Sequence, residues 1–320
     1  EYTFDEMIDY KEGDRGFKVK AEDTYGYITI STLPVTYKTI PGPSLTLTES
    51  TILAGTDAKK GVPVQIESVR GVHEVVIYRI ENGSEVEALR ETKNGEHTLN
   101  YAPEIDFTEA TSKLKVVVSD GREGKEAIGY MKAYVNMDVA TLNVGSQPLA
   151  NNAHVKYPDA FGMVSLNDLK TYSVDYAIAN EVNAKNVDFK FYCFGASGSP
   201  RLYSMDNTGK DGEFSGSTGK LSAIKVKNLT RFAILSNFDY ENATVASISS
   251  EILSSSIAQS LLDPIAVGNV IAFRTGGSSA AGGGRIGVMK VINITEPKEL
   301  VSNNATARVM TVEIKFPKKK

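Results

Sequence analysis

Leu114-Lys-Val-Val-Val-Ser-Asp120 is a second copy of Phe17-Lys-Val-Lys-Ala-Glu-Asp23, and the match extends in both directions. Upstream, Glu96-His-Thr-Leu99 answers Glu1-Tyr-Thr-Phe4, and Ile105-Asp106 answers Ile8-Asp9. Downstream, each copy meets a glycine, Gly124 or Gly26, and then an alternating strand pattern. The offset drifts only from 95 to 97 up to the aspartates and is 98 at the glycines. A repeat of that period is a whole structural unit, not a short motif.

That period is the length of one immunoglobulin-like sandwich. Residues 1–40 therefore read as the C-terminal half of such a domain and 41–137 as a complete one. The half-domain implies that the chain is trimmed or a proteolytic fragment. Its apolar face must then pack on a neighbour, pair with another molecule, or lack strands that precede Glu1. Segments such as Gly26–Thr32, Val35–Tyr37, Val62–Ser68, Val72–Ile80, Lys113–Ser119 and Gly129–Asn136 are rich in Val, Ile, Thr and Tyr. They recur about every dozen residues, as antiparallel sandwiches require. Val116-Val117-Val118 breaks the alternation and predicts a central strand covered on both faces. Ile40-Pro-Gly-Pro43 predicts a short, semi-rigid linker. No proline, glycine or serine run separates Asn136 from Thr141, so the second domain should lead directly into the third and the molecule should be elongated.

From about Asp138 to Lys320 the repeat stops, and the spacing of strand candidates widens. Tyr172–Ala179, Val187–Phe194, Ala223–Val226, Arg231–Leu235, Val270–Thr275, Ile286–Ile294 and Arg308–Phe316 predict one larger, jelly-roll-like sandwich over 138–320. A single helix is expected at Ser254–Leu262, ended by Pro264. The fold class is thus all-β: tandem Ig-like sandwiches followed by a larger one.

The near balance of 35 basic and 39 acidic residues gives a net charge of −4, which argues against a nucleic-acid partner. Lys318-Lys-Lys320 reads as a solvated tail. Cys193 is the sole cysteine and lies in an apolar run, so it reads as a buried hydrophobe. His73, His97 and His154 lie at no metal-ligand spacing, and neither metal nor cofactor is implied. No run of 18 apolar residues is present. Gly282-Gly-Gly-Arg-Ile-Gly287 matches G-x-G-x-x-G in letters but is flanked by two strand patterns, so a hairpin loop is expected rather than a nucleotide site. Asp206-Asn-Thr-Gly-Lys-Asp-Gly-Glu213 fits no EF-hand register and reads as a polar turn, with an irregular calcium site as second choice. Asp23 and Asp120 recur before glycine-containing turns, where a carboxylate can accept backbone N–H bonds.

Glycoside hydrolysis needs two facing carboxylates. Asp175, Asp188, Asp206 and Glu213 are available, but their spacing selects no pair, and no catalytic residue is assigned. Ligand contact is instead expected at Arg201, Tyr203, Asp206 and Tyr240, with tyrosine faces stacking on a sugar and the charged groups bonding its hydroxyls. Leu114–Asp120, Tyr130-Met-Lys-Ala-Tyr-Val135, Val187–Tyr192, Thr230-Arg-Phe232, Val267–Thr275 and Gly287–Ile294 resemble the strands of tandem Ig-like surface lipoproteins of gut Bacteroidetes. That resemblance implies export to the cell surface as an outer-membrane-anchored lipoprotein. It also implies spacers presenting a C-terminal domain to a polysaccharide or a surface protein in glycan capture or adhesion, while the lack of a His, Cys or metal constellation and of a distinct carboxylate pair predicts a non-catalytic role. A β-sandwich polysaccharide hydrolase or lyase is the alternative.

Overall fold

The computed structural model describes residues 16–34, 40–296, 300 and 304–319. The matches at Glu1–Phe4 and Ile8-Asp9 and the expected strand Val35–Tyr37 lie outside the described residues. β1 (Gly16–Glu22) and β2 (Ile28–Pro34) form a two-stranded antiparallel hairpin.

The next ten strands are β3 (Ser44–Leu47), β4 (Thr51–Ala54), β5 (Lys60–Gly61), β6 (Val64–Glu67), β7 (Glu74–Glu81), β8 (Ser84–Thr92), β9 (Thr98–Tyr101), β10 (Glu104–Ile105), β11 (Thr111–Ser119) and β12 (Glu126–Val135). A three-stranded sheet, β3-β6-β9, faces a five-stranded sheet, β4-β12-β11-β7-β8, in which β4 runs parallel to β12. This is an Ig-like sandwich. Alternation along β11 and β12 buries Leu114, Val116, Val118, Met131, Ala133 and Val135 against Val64, Ile66 and Ile77. Val117 faces outward and is half-buried, so the expected cover on both faces of β11 is not present. β7 and β8 are joined by Asn82-Gly83, both at positive φ, the backbone that a two-residue hairpin turn demands.

The repeat is exact at the level of pairing. β1/β2 sets Phe17 opposite Leu33 and Val19 opposite Ser31; β11/β12 sets Leu114 opposite Met131 and Val116 opposite Gly129. Asp23 Oδ1 accepts the N–H groups of Tyr25 and Tyr27, each at 2.9 Å. Asp120 Oδ1 accepts that of Arg122 at 3.2 Å. The recurring aspartate is a turn-former, as its position suggested.

The remaining chain adds β13 (Met137–Gly145), β14 (Met163–Ser165), β15 (Lys170–Tyr172), β16 (Phe189–Phe194), β17 (Ser199–Ser204), β18 (Arg231–Leu235), β19 (Leu261–Leu262), β20 (Val270–Arg274), β21 (Ile286–Ile294) and β22 (Val309–Pro317). Its helices are α1 (Val174–Ala179), α2 (Glu181–Lys185) and α3 (Val245–Glu251). Two five-stranded sheets, β13-β22-β21-β20-β18 and β15-β14-β16-β17-β19, enclose Phe189, Phe191, Phe232, Phe273, Met289 and Phe316. Each sheet is also covered on its outer face. Met205, Phe214 and Leu221 cover the second sheet near Tyr192 and Tyr203. Tyr240, Val245, Ile248 and Ile257 cover the first.

Three local readings need correction. Tyr172, Val174, Tyr176 and Ile178 alternate like a strand, but Ser173 accepts the Tyr176 N–H as an N-cap and the segment forms α1. Ser254–Leu262 is not a helix: only Ser254–Ser256 makes one 3-10 turn, and the chain then enters β19. Serine hydroxyls compete for backbone carbonyls there, as when Ser256 donates to Leu253 O. The helix lies earlier, where Thr244 and Ser247 cap each other at the start of α3. Ala223–Val226 is likewise no strand, because a 3-10 turn occupies Leu221–Ala223. The glycine-rich stretch does join the hairpin β20/β21. Ser279 Oγ donates to the buried Asp188 at 2.6 Å, and Ala280 N–H to Lys185 O, fastening that loop to the sandwich.

Asn136 alone separates β12 from β13, with φ at 50°, a conformation that asparagine tolerates better than most residues. Its amide donates to Thr56 Oγ1 and Glu109 Oε1. The Ala246 N–H, in the first turn of α3, donates across the joint to Glu109 O.

Candidate functional site

The face of β16 and β17 that turns away from the core grades from buried to open along the strands. Register places Lys190 opposite Tyr203, Tyr192 opposite Arg201 and Phe194 opposite Ser199. Lys190 and Tyr203 lie under the 205–224 segment, while Phe194, at the end of β16, is 41% exposed. The hairpin then turns through Gly195 and Gly198, both at positive φ; a Cβ at Gly198 would meet Ala305 O at 2.0 Å. Only glycine suits that position.

Two cations converge on the Phe194 ring. The Arg201 guanidinium lies 4.1 Å from its centroid and the Lys210 ammonium 5.1 Å. Arg201 is held by Asp263 at 2.8 Å, and Lys210 by Glu213 at 2.8 Å. Glu213 also accepts the Tyr192 hydroxyl at 2.5 Å. Burial, with Glu213 as acceptor, pushes the Tyr192 phenol up to about 12. The hydrogen bond to Glu213 raises the Lys210 pKa. The loop bearing Lys210 is fastened to β16 by a buried pair, Lys190 Nζ to Asp211 Oδ1 at 2.6 Å.

Of the four residues expected to meet a ligand, Arg201 lies in this patch. Tyr203 sits beneath it, 4% exposed, with its ring 5.5 Å from that of Tyr192. Tyr240 is 3% exposed on the outer face of the other sheet, where its hydroxyl donates to Glu313 O. Neither ring face is open for stacking, because both rings cover core. Asp206 is taken by Arg231 through both oxygens, at 2.9 and 2.8 Å, and by the Ser204 hydroxyl. Burial would raise its pKa, but these partners outweigh it and hold the carboxyl below its ordinary value.

The four candidate carboxylates are dispersed among separate partners. Asp175 accepts from the backbone of Thr218 and Ser217, and burial lifts Asp188 to about 6. Asp206 and Glu213 are tied as described. Phe194 and Lys210 were missed in the sequence. Phe194 closes an apolar run that reads as core, and Lys210 reads as part of a polar turn.

A second open aromatic lies on the outer face of the five-stranded Ig-like sheet. Tyr130, on the outward face of β12, is 59% exposed, and Lys132 follows it on the same face. Register aligns Lys132 with Lys113 on β11, and Lys113 with Ile80 on β7. Opposite this row stand Asp239 and Asn242 and the start of α3. Glu241 accepts from Lys290 at 2.8 Å and Lys132 at 3.0 Å, and these two bonds pull its carboxyl down to about 2.

No protein-family model matches the chain, and no curated protein does. Among solved structures the chain is similar to the N-terminal eight Ig domains of Down Syndrome Cell Adhesion Molecule isoform 1.30.30. That similarity is 8% identity, with a TM-score of 0.21, over 89% of this chain and 36% of the other. The fold assignment above rests on the sheets themselves.

Proposed function

We propose that this chain is a non-catalytic binding protein of the cell surface, in which Ig-like units (1–40 and 41–137) carry a C-terminal sandwich (138–320) to its partner. The observation that carries the reading is the exposed Phe194 ring, clamped by Arg201 and Lys210 at the tip of β16/β17. Aromatic and arginine side chains are the usual anchors of protein interfaces. A ring with cations against it suits a protein surface better than an open sugar platform, so the partner is a protein and the activity is adhesion. Ion pairs to Asp263 and Glu213 hold the patch in shape before contact, which lowers the ordering cost of binding.

The test is adhesion of beads coated with the full chain to a panel of immobilised extracellular proteins. Phe194→Ala should weaken capture by tenfold or more, the size of a hot-spot truncation (about 1.4 kcal/mol or above). Capture that is unchanged in Phe194→Ala and in Lys210→Glu would refute the site. Reducing ends released from a polysaccharide panel would refute the non-catalytic reading.

A further inference from the structure

We infer that the outer edge of β13 pairs with the same edge of a second copy of this chain, giving a two-fold dimer centred on Thr141. β13 lies at the edge of its five-stranded sheet and is bonded to β22 on one side only. The direction of its backbone groups follows from its C-terminal end. Ser146 N–H donates to Arg308 O on the β22 side, whereas Gly145 N–H donates away from β22, to Phe161 O. Strand alternation then turns the N–H and C=O groups of Val139, Thr141 and Asn143 outward, with those of Gly145. Among the described residues, no backbone group bonds to any of these six. There is room for a strand beside them: a cavity of about 440 Å³ lies along the edge, lined by Thr141, Leu142, Asn143, Phe161 and Lys170.

Proteins blunt such edges with charge, proline or a bulge. β8, the nine-residue edge of the Ig-like sandwich, carries Glu85, Glu87, Arg90 and Glu91. β13 is as long, yet its one charged residue is Asp138, it has no proline, and its register with β22 is unbroken. Left alone, this row of donors and acceptors is a template for another strand.

Three features select a second copy as that strand. First, the edge is self-complementary about Thr141. Antiparallel pairing sets Thr141 against Thr141 and Val139 against Asn143, so all six outward groups of each copy find partners in the other. Second, no like charges face each other. In this register Asp138 lies opposite Val144, on the sheet face that bears Ala140 and Leu142, and Lys170 stands on the rim beside that face. Third, the edge of a second copy is already extended and ordered, so pairing loses less conformational entropy than capture of a flexible peptide.

Sedimentation equilibrium of the full chain tests this. The mass should rise with concentration in the micromolar range, from 34.6 kDa towards twice that value. Thr141→Lys and Thr141→Glu each set like charges face to face across the two-fold axis, and each should weaken the dimer by about tenfold or more. An equimolar mixture of the two variants should dimerise again, because unlike charges then meet. Thr141 is exposed, so both variants should keep the far-ultraviolet circular dichroism of the parent protein. A chain that stays monomeric into the millimolar range overturns the inference and leaves the edge to a foreign strand. A dimer indifferent to both single changes, as association through the β1/β2 hairpin would be, overturns it too. So does a mixture that fails to recover the dimer, since the two-fold axis would then not pass through Thr141.

Discussion

Replacing Lys190 with methionine removes one charge from the best-buried ion pair among the described residues and keeps most of the side-chain volume. Lys190 has no exposed side-chain surface and Asp211 has 3%. The ammonium donates to Asp211 Oδ1 at 2.6 Å, Asn207 O at 3.0 Å and Ser204 O at 3.4 Å. Burial pulls the Lys190 pKa below its ordinary value, and Asp211 opposes that fall. In Lys190→Met the nearest remaining cation to Asp211 is Lys227, 4.0 Å from Oδ2. Leaving a buried carboxylate in that state costs about 3–5 kcal/mol. In a unit of this size, that is a fall of roughly 6–20 °C in melting temperature. Adding Asp211→Leu removes the stranded charge and should recover most of the loss, to within about 2 kcal/mol of the parent protein. Calorimetric melting of the full chain, following the transition of the C-terminal unit, reads both values. A single variant that loses less than about 1 kcal/mol would refute the claim that this pair fastens the Lys210 loop to β16. So would a double variant no better than the single one.

Burial lifts the Asp188 carboxyl to about 6, above the ~3.9 of an unfolded chain. The native state therefore takes up this proton first. Its ionised form is a burden above pH 6 that is relieved as pH falls from about 6 to 4. Melting curves from pH 4 to 8 should show that relief, up to about 3 kcal/mol, in the parent protein and not in Asp188→Asn; parallel profiles would count against it. Gly287→Ala would bring a Cβ to 2.4 Å from Phe273 Cζ and 2.8 Å from Phe316 Cδ2. Overpacking of that kind should lower stability by about 1–3 kcal/mol in denaturant titration, and an unchanged midpoint would show that both rings can move aside.

The strands that sequence revealed best were those with uninterrupted β-branched or aromatic runs. Arg231–Leu235 and Ile286–Ile294 fall where their residues suggested. Ser84–Thr92 escaped notice because it carries four charged residues. It is an edge strand, where charge is tolerated and even useful, and Asn82-Gly83 was the signal that could have found it. α1 was misread because a two-residue alternation also suits a short helix that buries only Val174 and Ala177. The proposed patch around Phe194 was legible only at Arg201. A tyrosine beside polar loop residues looks exposed in one dimension; Tyr203 and Tyr240 are covered by segments some distance along the chain, and no local pattern encodes that.

Met137 opens β13 and Pro317 closes β22, and the two are direct partners in the sheet, with the Lys318 N–H donating to Asn136 O beside them. The chain thus comes into the C-terminal sandwich and leaves it at one corner. Tension drawn between the Ig-like unit and residues 318–319 would act on that corner alone. It would open the nine residue pairs of β13/β22 one after another, as a zip opens, instead of sliding them all at once. A pull arriving through Phe194, far along β16, would instead load the sandwich across its packed sheets. The same domain is therefore weak when stretched by its own chain and strong when loaded through β16.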